Sequence, residues 1–250
     1  MHGMKRVFLG LAVILIIAFY AWQWRAKPET RWQVIAPGVE MKMLSVGEGS
    51  AFNGATKIIA LRTTPSRIKI LKGETRNAVA WRQDEKSLAI INGGFFDPQG
   101  KTLGLRVSDG EKKGGLHDAD WGVFFIRKGK AGVLHTREFK RQYTSLRNIS
   151  QAVQCGPRLV VDGQTTDLKP QTARRTGVGI QRDGRIIIAV SEGALAFDDW
   201  ANLWAASDGL NCRDALNLDG GGSTQISLKT KKKSLEVSGL WPVPDVIAIH

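Results

Sequence analysis

Two stretches of this 250-residue chain carry residue types that could do chemistry, and they share one layout. In each, an apolar run ends in a polar residue followed by consecutive glycines: Asn92-Gly93-Gly94 within INGGFFD (91–97), and Asp219-Gly220-Gly221-Gly222-Ser223 within ALNLDGGGST (215–224). A strand leaving a core fixes the position of its last side chain. Glycines beyond it allow positive φ and bring backbone N–H groups close to a ligand with no Cβ in the way. Such a turn can cradle an anion or a sugar, and Asp219 stands where a carboxylate could act on either. A pair of tight turns that need glycine only for space is the alternative.

Other chemistries are excluded by spacing. DGGGST lacks both the G-x-G-x-x-G pattern and the Gly-Lys-Ser/Thr ending of a P-loop, and neither G-x-S-x-G nor H-E-x-x-H occurs. His117 and His135 have no partners at ligand spacing. The two cysteines, Cys155 and Cys212, also lack a neighbouring Cys or His, so neither suits a zinc site. An oxidising compartment would permit a disulfide between them; two buried free thiols are the other reading. No cofactor is expected. A hard divalent cation such as Ca²⁺ on Asp97, Glu192 and Asp219 stays open, although no ordered calcium loop is visible.

The elements that must position these residues are mostly strands. Short β-rich runs fall at 58–61 and 68–71, separated by Thr64-Pro65-Ser66, a turn signal. A modest helix is predicted over 75–86 and a buried strand over 88–91, ending at Asn92. Segments 122–127 and 132–135 flank Lys128-Gly129-Lys130 as a hairpin, and 158–161 runs into an Asp162-Gly163 turn. Segments 177–181 and 185–190 flank Asp183-Gly184, a strong hairpin signal. Asp198 or Asp199 could cap a helix bearing Trp200, Leu203 and Trp204 on one face, and a final strand is expected at 215–218. Many strands, few helices and no βαβ alternation predict an α+β fold: a strand-rich single domain with mixed sheets.

The N-terminus reads differently. Lys5 and Arg6 precede an uncharged, mostly apolar run from Val7 to Trp22, with Trp24, Arg25 and Lys27 after it. That pattern is an export signal, and no convincing cleavage site follows it. Residues 1–27 are therefore expected to be an uncleaved signal anchor or a cleaved signal peptide, and 28–49 a linker and first strand leading into a domain over 50–250. The anchor would place the N-terminus in the cytoplasm and the domain in the periplasm of a bacterial inner membrane; cleavage would release it. The net charge of +13 is then no nucleic-acid signal. Setting aside Lys5, Arg6, Arg25 and Lys27 leaves 32 basic against 23 acidic residues, and the partners at hand outside the cytoplasm are lipid head groups and phosphate-bearing glycans. Lys229–Lys233 reads as a solvated hairpin tip.

Four segments, INGGFFD (91–97), CGPRLVVDG (155–163), RRTGVGIQRDGRIIIAVSEG (174–193) and ALNLDGGGST (215–224), occur in the order and approximate spacing of the phosphodiester glycosidase family, which this chain resembles over about residues 50–250. The resemblance looks closest to its shorter bacterial envelope members. It implies an extracytoplasmic hydrolase that cleaves between a sugar's anomeric carbon and a phosphodiester oxygen, in a phosphorylated glycan or glycolipid. A non-catalytic envelope protein that binds phosphorylated glycan or peptidoglycan on the same scaffold is the other reading. The resemblance further implies substrate contacts at Asn92, Gly93, Gly94, Thr176, Gly220, Gly221, Gly222 and Ser223, with Arg175 as the phosphate clamp. Asp219 is the first candidate for the catalytic carboxylate and Glu192 the second. Two positions depart from the family: Glu192-Gly193 replaces the usual Asp-Gly, and Trp241-Pro242-Val243 stands where many members carry Arg-Pro-Val.

Overall fold

The computed structural model describes residues 31–47 and 55–250, so the expected membrane segment at 1–27 lies outside the described residues. Among the described residues, no helix is long and apolar enough to cross a membrane. Arg31–His250 forms one compact unit.

Three sheets surround a shared apolar core. The largest has eight strands in the order Gln33–Ala36, Val39–Val46, Thr56–Thr63, Ile186–Ser191, Thr176–Gln181, Cys212–Asn217, Arg158–Val161 and Gln164–Thr165. A second runs Ser234–Val237, Ile226–Lys229, Ala89–Asn92, Val243–Ile249 and Ile68–Arg76. The third runs Glu111–Gly114, Arg106–Ser108, Ile149–Cys155, Gly122–Arg127 and Lys130–His135. A two-stranded ribbon, Thr172–Ala173 with Leu195–Ala196, lies apart from them.

Alternation along the strands shows how the layers are built. Ile59 and Leu61 of the large sheet face Ile91 and Ile247 of the second and Phe124 and Val153 of the third in one cluster. Their sequence neighbours Ile58 and Ala60 point the other way, onto Trp200 and Trp204 of the helix Phe197–Ala205. The second sheet turns Ile90, Val246 and Ala248 outward against Trp81 of the helix Ala78–Asp84. The third turns Val123 and Phe125 toward Phe139 of the helix Thr136–Gln142. Each sheet is thus covered on both faces, which is why IIIAVS and VIAI read as continuous apolar runs instead of alternating ones.

Several expectations are corrected. The sheets are not mixed: each pairing among the named strands is antiparallel, including pairings between strands far apart in sequence, such as Thr56–Thr63 with Ile186–Ser191 and Ile68–Arg76 with Val243–Ile249. Residues 33–46 form two strands of the large sheet where a linker and one strand were expected. The helix expected over 75–86 spans Ala78–Asp84, after an Asn77 cap whose side chain accepts from the Ala80 N–H, since Thr75 and Arg76 are taken by a strand. Neither Asp198 nor Asp199 caps the helix Phe197–Ala205. Ala196 is the cap residue, and both carboxylates sit in the first turn, where the helix dipole favours them. Cys155 and Cys212 are free and buried on opposite faces of the large sheet, one in the shared core and the other beside Trp204. No disulfide joins them.

Candidate active site

Antiparallel register places the two central residues. Gly177 pairs with Asn217, and the Leu218 N–H donates to the Thr176 carbonyl at 2.8 Å, so the two chains continue side by side past the sheet edge. Arg175 and Asp219 lie just beyond these paired ends. Both line one cleft of about 850 Å³, together with Gly220, Gly221, Gln171 and Phe197, and with Phe95, Asp120, Trp121 and Asn217.

Arg175 is only 2% exposed. Its Nε donates to the Leu195 carbonyl at 3.0 Å, Nη1 to Gln171 Oε1 at 3.3 Å and Nη2 to the Gln171 carbonyl, while the guanidinium lies 3.5 Å from the Phe197 ring centroid. The ribbon supplies this cradle, because its pairing and the Phe197 N–H bond to the Gln171 carbonyl hold Gln171 and Phe197 together. All the acceptors are neutral, no ion pair involves Arg175 among the described residues, and burial pulls its pKa down to about 10. It stays a cation at neutral pH, with more N–H donors than these acceptors use.

The Asp219 carboxylate accepts from the Gly220 N–H at 3.0 Å and from the Ser223 hydroxyl. Burial raises its pKa above the ordinary carboxylate value and outweighs those two bonds. Of the three glycines that follow, Gly221 has a φ of +58° and an open Cβ direction. Gly220 instead packs on the Arg174 carbonyl, and Gly222 lies against the Trp241 indole, so that glycine serves close packing rather than ligand approach.

The remaining expected contacts stand behind the cleft. Asn92, fully buried, donates from Nδ2 to the Asp219 carbonyl at 2.7 Å, and its Oδ1 accepts from the Thr176 hydroxyl at 2.8 Å and the Gln225 N–H at 3.2 Å. Thr176 also reaches Thr224, at 3.3 Å. These side chains do not face the cleft: they staple the ends of three strands to the Asp219 turn. Gly93 and Gly94 lie over the buried ion pair of Arg106 and Asp245, where a Cβ would collide with Asp245 at the first and with Arg106 at the second. Glu192 is exposed and absent from the cleft lining. Its neighbour Ser191 points inward, its hydroxyl accepting from the Arg175 N–H at 2.7 Å, and side chains of successive residues take opposite faces. The trio named for a hard cation is not gathered either. Asp97 Oδ1 is held by the N–H groups of Gln99 and Lys101, and no group of three or more His, Cys, Asp or Glu converges among the described residues.

Sequence reasoning missed Trp121, Gln171, Phe197 and Asn217 in the cleft, and the Arg106–Asp245 pair beneath it. Asp245 had a signal: a lone carboxylate inside the apolar run VPDVIAI requires a buried partner. Gln171 had none, since its function depends on a two-residue ribbon.

Comparison with known proteins bears on the fold and the family. The chain is 34% identical over 143 residues to an uncharacterized protein of Escherichia coli strain K12, YigE, covering 52% of this chain and 54% of that one; it spans about half the length of this curated relative. Its fold is similar to the catalytic domain of zebrafish N-acetylglucosamine-1-phosphodiester alpha-N-acetylglucosaminidase, auto-inhibited by its pro-peptide, with a TM-score of 0.68 at 19% identity over 87% of this chain and 85% of that one. A hypothetical protein from Synechocystis has the same fold, with a TM-score of 0.60 at 14% identity, covering 90% and 64% of the two chains. The phosphodiester glycosidase family model matches residues 85–250, well over half the sequence, and includes the Asp219 turn, Arg175 and the strands that pair them: this chain belongs to the phosphodiester glycosidase family.

Proposed function

We propose that the protein is a hydrolase that cleaves the bond between a sugar's anomeric carbon and a phosphodiester oxygen, with Arg175 and Asp219 as its working pair. The observation that carries this reading is Arg175: a buried guanidinium, without a carboxylate partner among the described residues, lining the same cleft as the Asp219 carboxylate. Burying an unpaired charge costs several kcal/mol, and an anionic ligand is the natural compensation.

Ordinary glycosidases protonate the departing oxygen because an alkoxide leaves poorly. Here the departing group is a phosphate monoester, whose second pKa is about 6, so stabilising its charge replaces much of that proton transfer. Arg175 binds the phosphate oxygens, and the open Gly221 backbone adjoins them. Asp219 works at the anomeric carbon. Desolvation makes its carboxylate a stronger base than one in water, which suits it to take a proton from the attacking water. Neighbouring Ser223 and Gly220 orient it.

The export pattern at residues 5–27 supports a place outside the cytoplasm, with the N-terminal segment at the membrane and a phosphorylated glycan or glycolipid as substrate. Kinetics on a panel of methyl hexosyl-1-phosphate diesters, followed as reducing sugar released, test the assignment. Asp219→Asn is expected to lower kcat by about 10³-fold or more, and Arg175→Ala to lower kcat/KM by about 10²–10³-fold. Full activity in a folded variant removes that residue from the mechanism. Tight binding of the diesters without turnover by the wild type would instead make the protein a glycan-binding module.

A further inference from the structure

Trp121 belongs to none of the four apolar clusters of the described residues, yet its position is firmly held. The Trp121 carbonyl accepts from both the N–H and the hydroxyl of Thr136, each at 2.9 Å. The indole lies 5.1 Å from the Phe95 ring and 5.0 Å from His117, centroid to centroid. Gly156 makes room for it, since a Cβ there would fall 2.9 Å from the indole Cδ1. Beside it, Asp120 Oδ1 is held by His135 Nε2 at 2.7 Å, and the rest of the carboxylate faces solvent. Phe95, Asp120 and Trp121 all line the cleft, and they come from different sheets and loops than Arg175 does.

From this arrangement we infer that the Trp121 corner is the sugar subsite of the cleft: Trp121 stacks on the C–H face of a pyranose ring while Asp120 accepts hydrogen bonds from its hydroxyls. The inference rests on the phosphodiester reading and extends it by dividing the cleft into a cationic end for phosphate and an aromatic end for sugar. A pyranose presents weakly positive C–H groups on its faces and hydroxyl donors around its rim. An indole face is negative and apolar, and a carboxylate oxygen is the strongest acceptor a side chain offers for those hydroxyls. A rigid, half-buried tryptophan outside the core meets the first requirement at little entropic cost. The cleft volume of about 850 Å³ leaves space for a ring and a phosphate together.

Ligand-observed NMR with methyl glucopyranoside, methyl galactopyranoside and methyl N-acetylglucosaminide as probes, run beside the diester kinetics, tests the subsite. The wild type is expected to bind at least one of these sugars. Trp121→Ala should weaken that binding tenfold or more and raise the diester KM by a similar factor, with a much smaller effect on kcat. Trp121→Phe, which keeps an aromatic packed on Phe95, should fall between the two and covers the case in which the alanine variant does not fold. Asp120→Asn should also raise KM. Sugar binding that depends on Trp121 in a protein that hydrolyses none of the diesters would keep the subsite and remove the catalytic assignment. Hydrolysis with an unchanged KM in both Trp121 variants would overturn the subsite and leave the catalytic assignment standing, and a wild type that binds none of the sugars also overturns it.

Discussion

Burial strips water from Arg175 and from Asp219 alike, and in both it favours the neutral form: the guanidinium pKa falls to about 10 and the carboxyl pKa rises. For Asp219 this has a consequence for stability. Its folded-state pKa lies above the unfolded value, so between the two the native state binds more protons, and unfolding free energy falls as pH rises through that window. Asp219→Asn has no such proton to lose. Its Tm is expected to match the wild type below the ordinary carboxylate pKa of 3.8 and to exceed it at pH 7, as thermal melts across that range would show. A variant less stable at pH 7 would mean that the charged carboxylate holds the turn together. That Arg175 and Asp219 line one cleft was legible from the family resemblance and, for Asp219, from its place at a strand end beside glycines. Asn92 lies behind the cleft, hydrogen-bonded to the Asp219 carbonyl and to Thr176. An amide at a strand end can satisfy a ligand or its own backbone surroundings equally well, and only the three-dimensional partners decide which. Glu192 lies off the cleft by parity, one residue past a side chain that points inward.

The helix Phe197–Ala205 rests on the large sheet through glycine. At Gly177 and Gly179 an added Cβ would lie 2.8 Å and 2.7 Å from the Trp204 ring, so a strand with two missing side chains receives the Trp200–Trp204 pair. Gly179→Ala is expected to cost about 1–3 kcal/mol by overpacking, read from urea denaturation. Because Phe197 and Leu195 belong to the same segment and carry the Arg175 cradle, kcat/KM should fall as well. A variant with wild-type stability would show that the helix can shift without loss. The tryptophan stripe was readable at helical spacing, and so were the Asp183-Gly184 hairpin and the strands on either side of it. The N-terminal strands Gln33–Ala36 and Val39–Val46 were legible only as one strand; Val39–Val46 forms on the edge of Thr56–Thr63, and Gln33–Ala36 then pairs on the far edge of Val39–Val46.

Among the described residues, three sheets share one core and each carries a single helix on its outer face. This arrangement separates the two cysteines, and burial pushes the Cys155 thiol up to about 12 and the Cys212 thiol higher still. Neither should react with a thiol reagent in the native protein, two should react after unfolding, and added reductant should leave Tm unchanged; a reductant-sensitive Tm would place a disulfide where none is described. Composition and turn signals were enough to indicate an α+β fold. They could not indicate that the sheets are antiparallel throughout or share one core, because partner choice among strands is not local. What the arrangement achieves is to carry a guanidinium and a carboxylate, 44 residues apart in sequence, to one cleft. The chemistry assigned to them is most directly tested by hydrolysing a methyl hexosyl-1-phosphate diester in ¹⁸O-labelled water and locating the label by mass spectrometry. Cleavage at the anomeric carbon is expected to put ¹⁸O in the released sugar and none in the methyl phosphate, whereas label in the phosphate would mean that the phosphorus–oxygen bond breaks and would contradict the account.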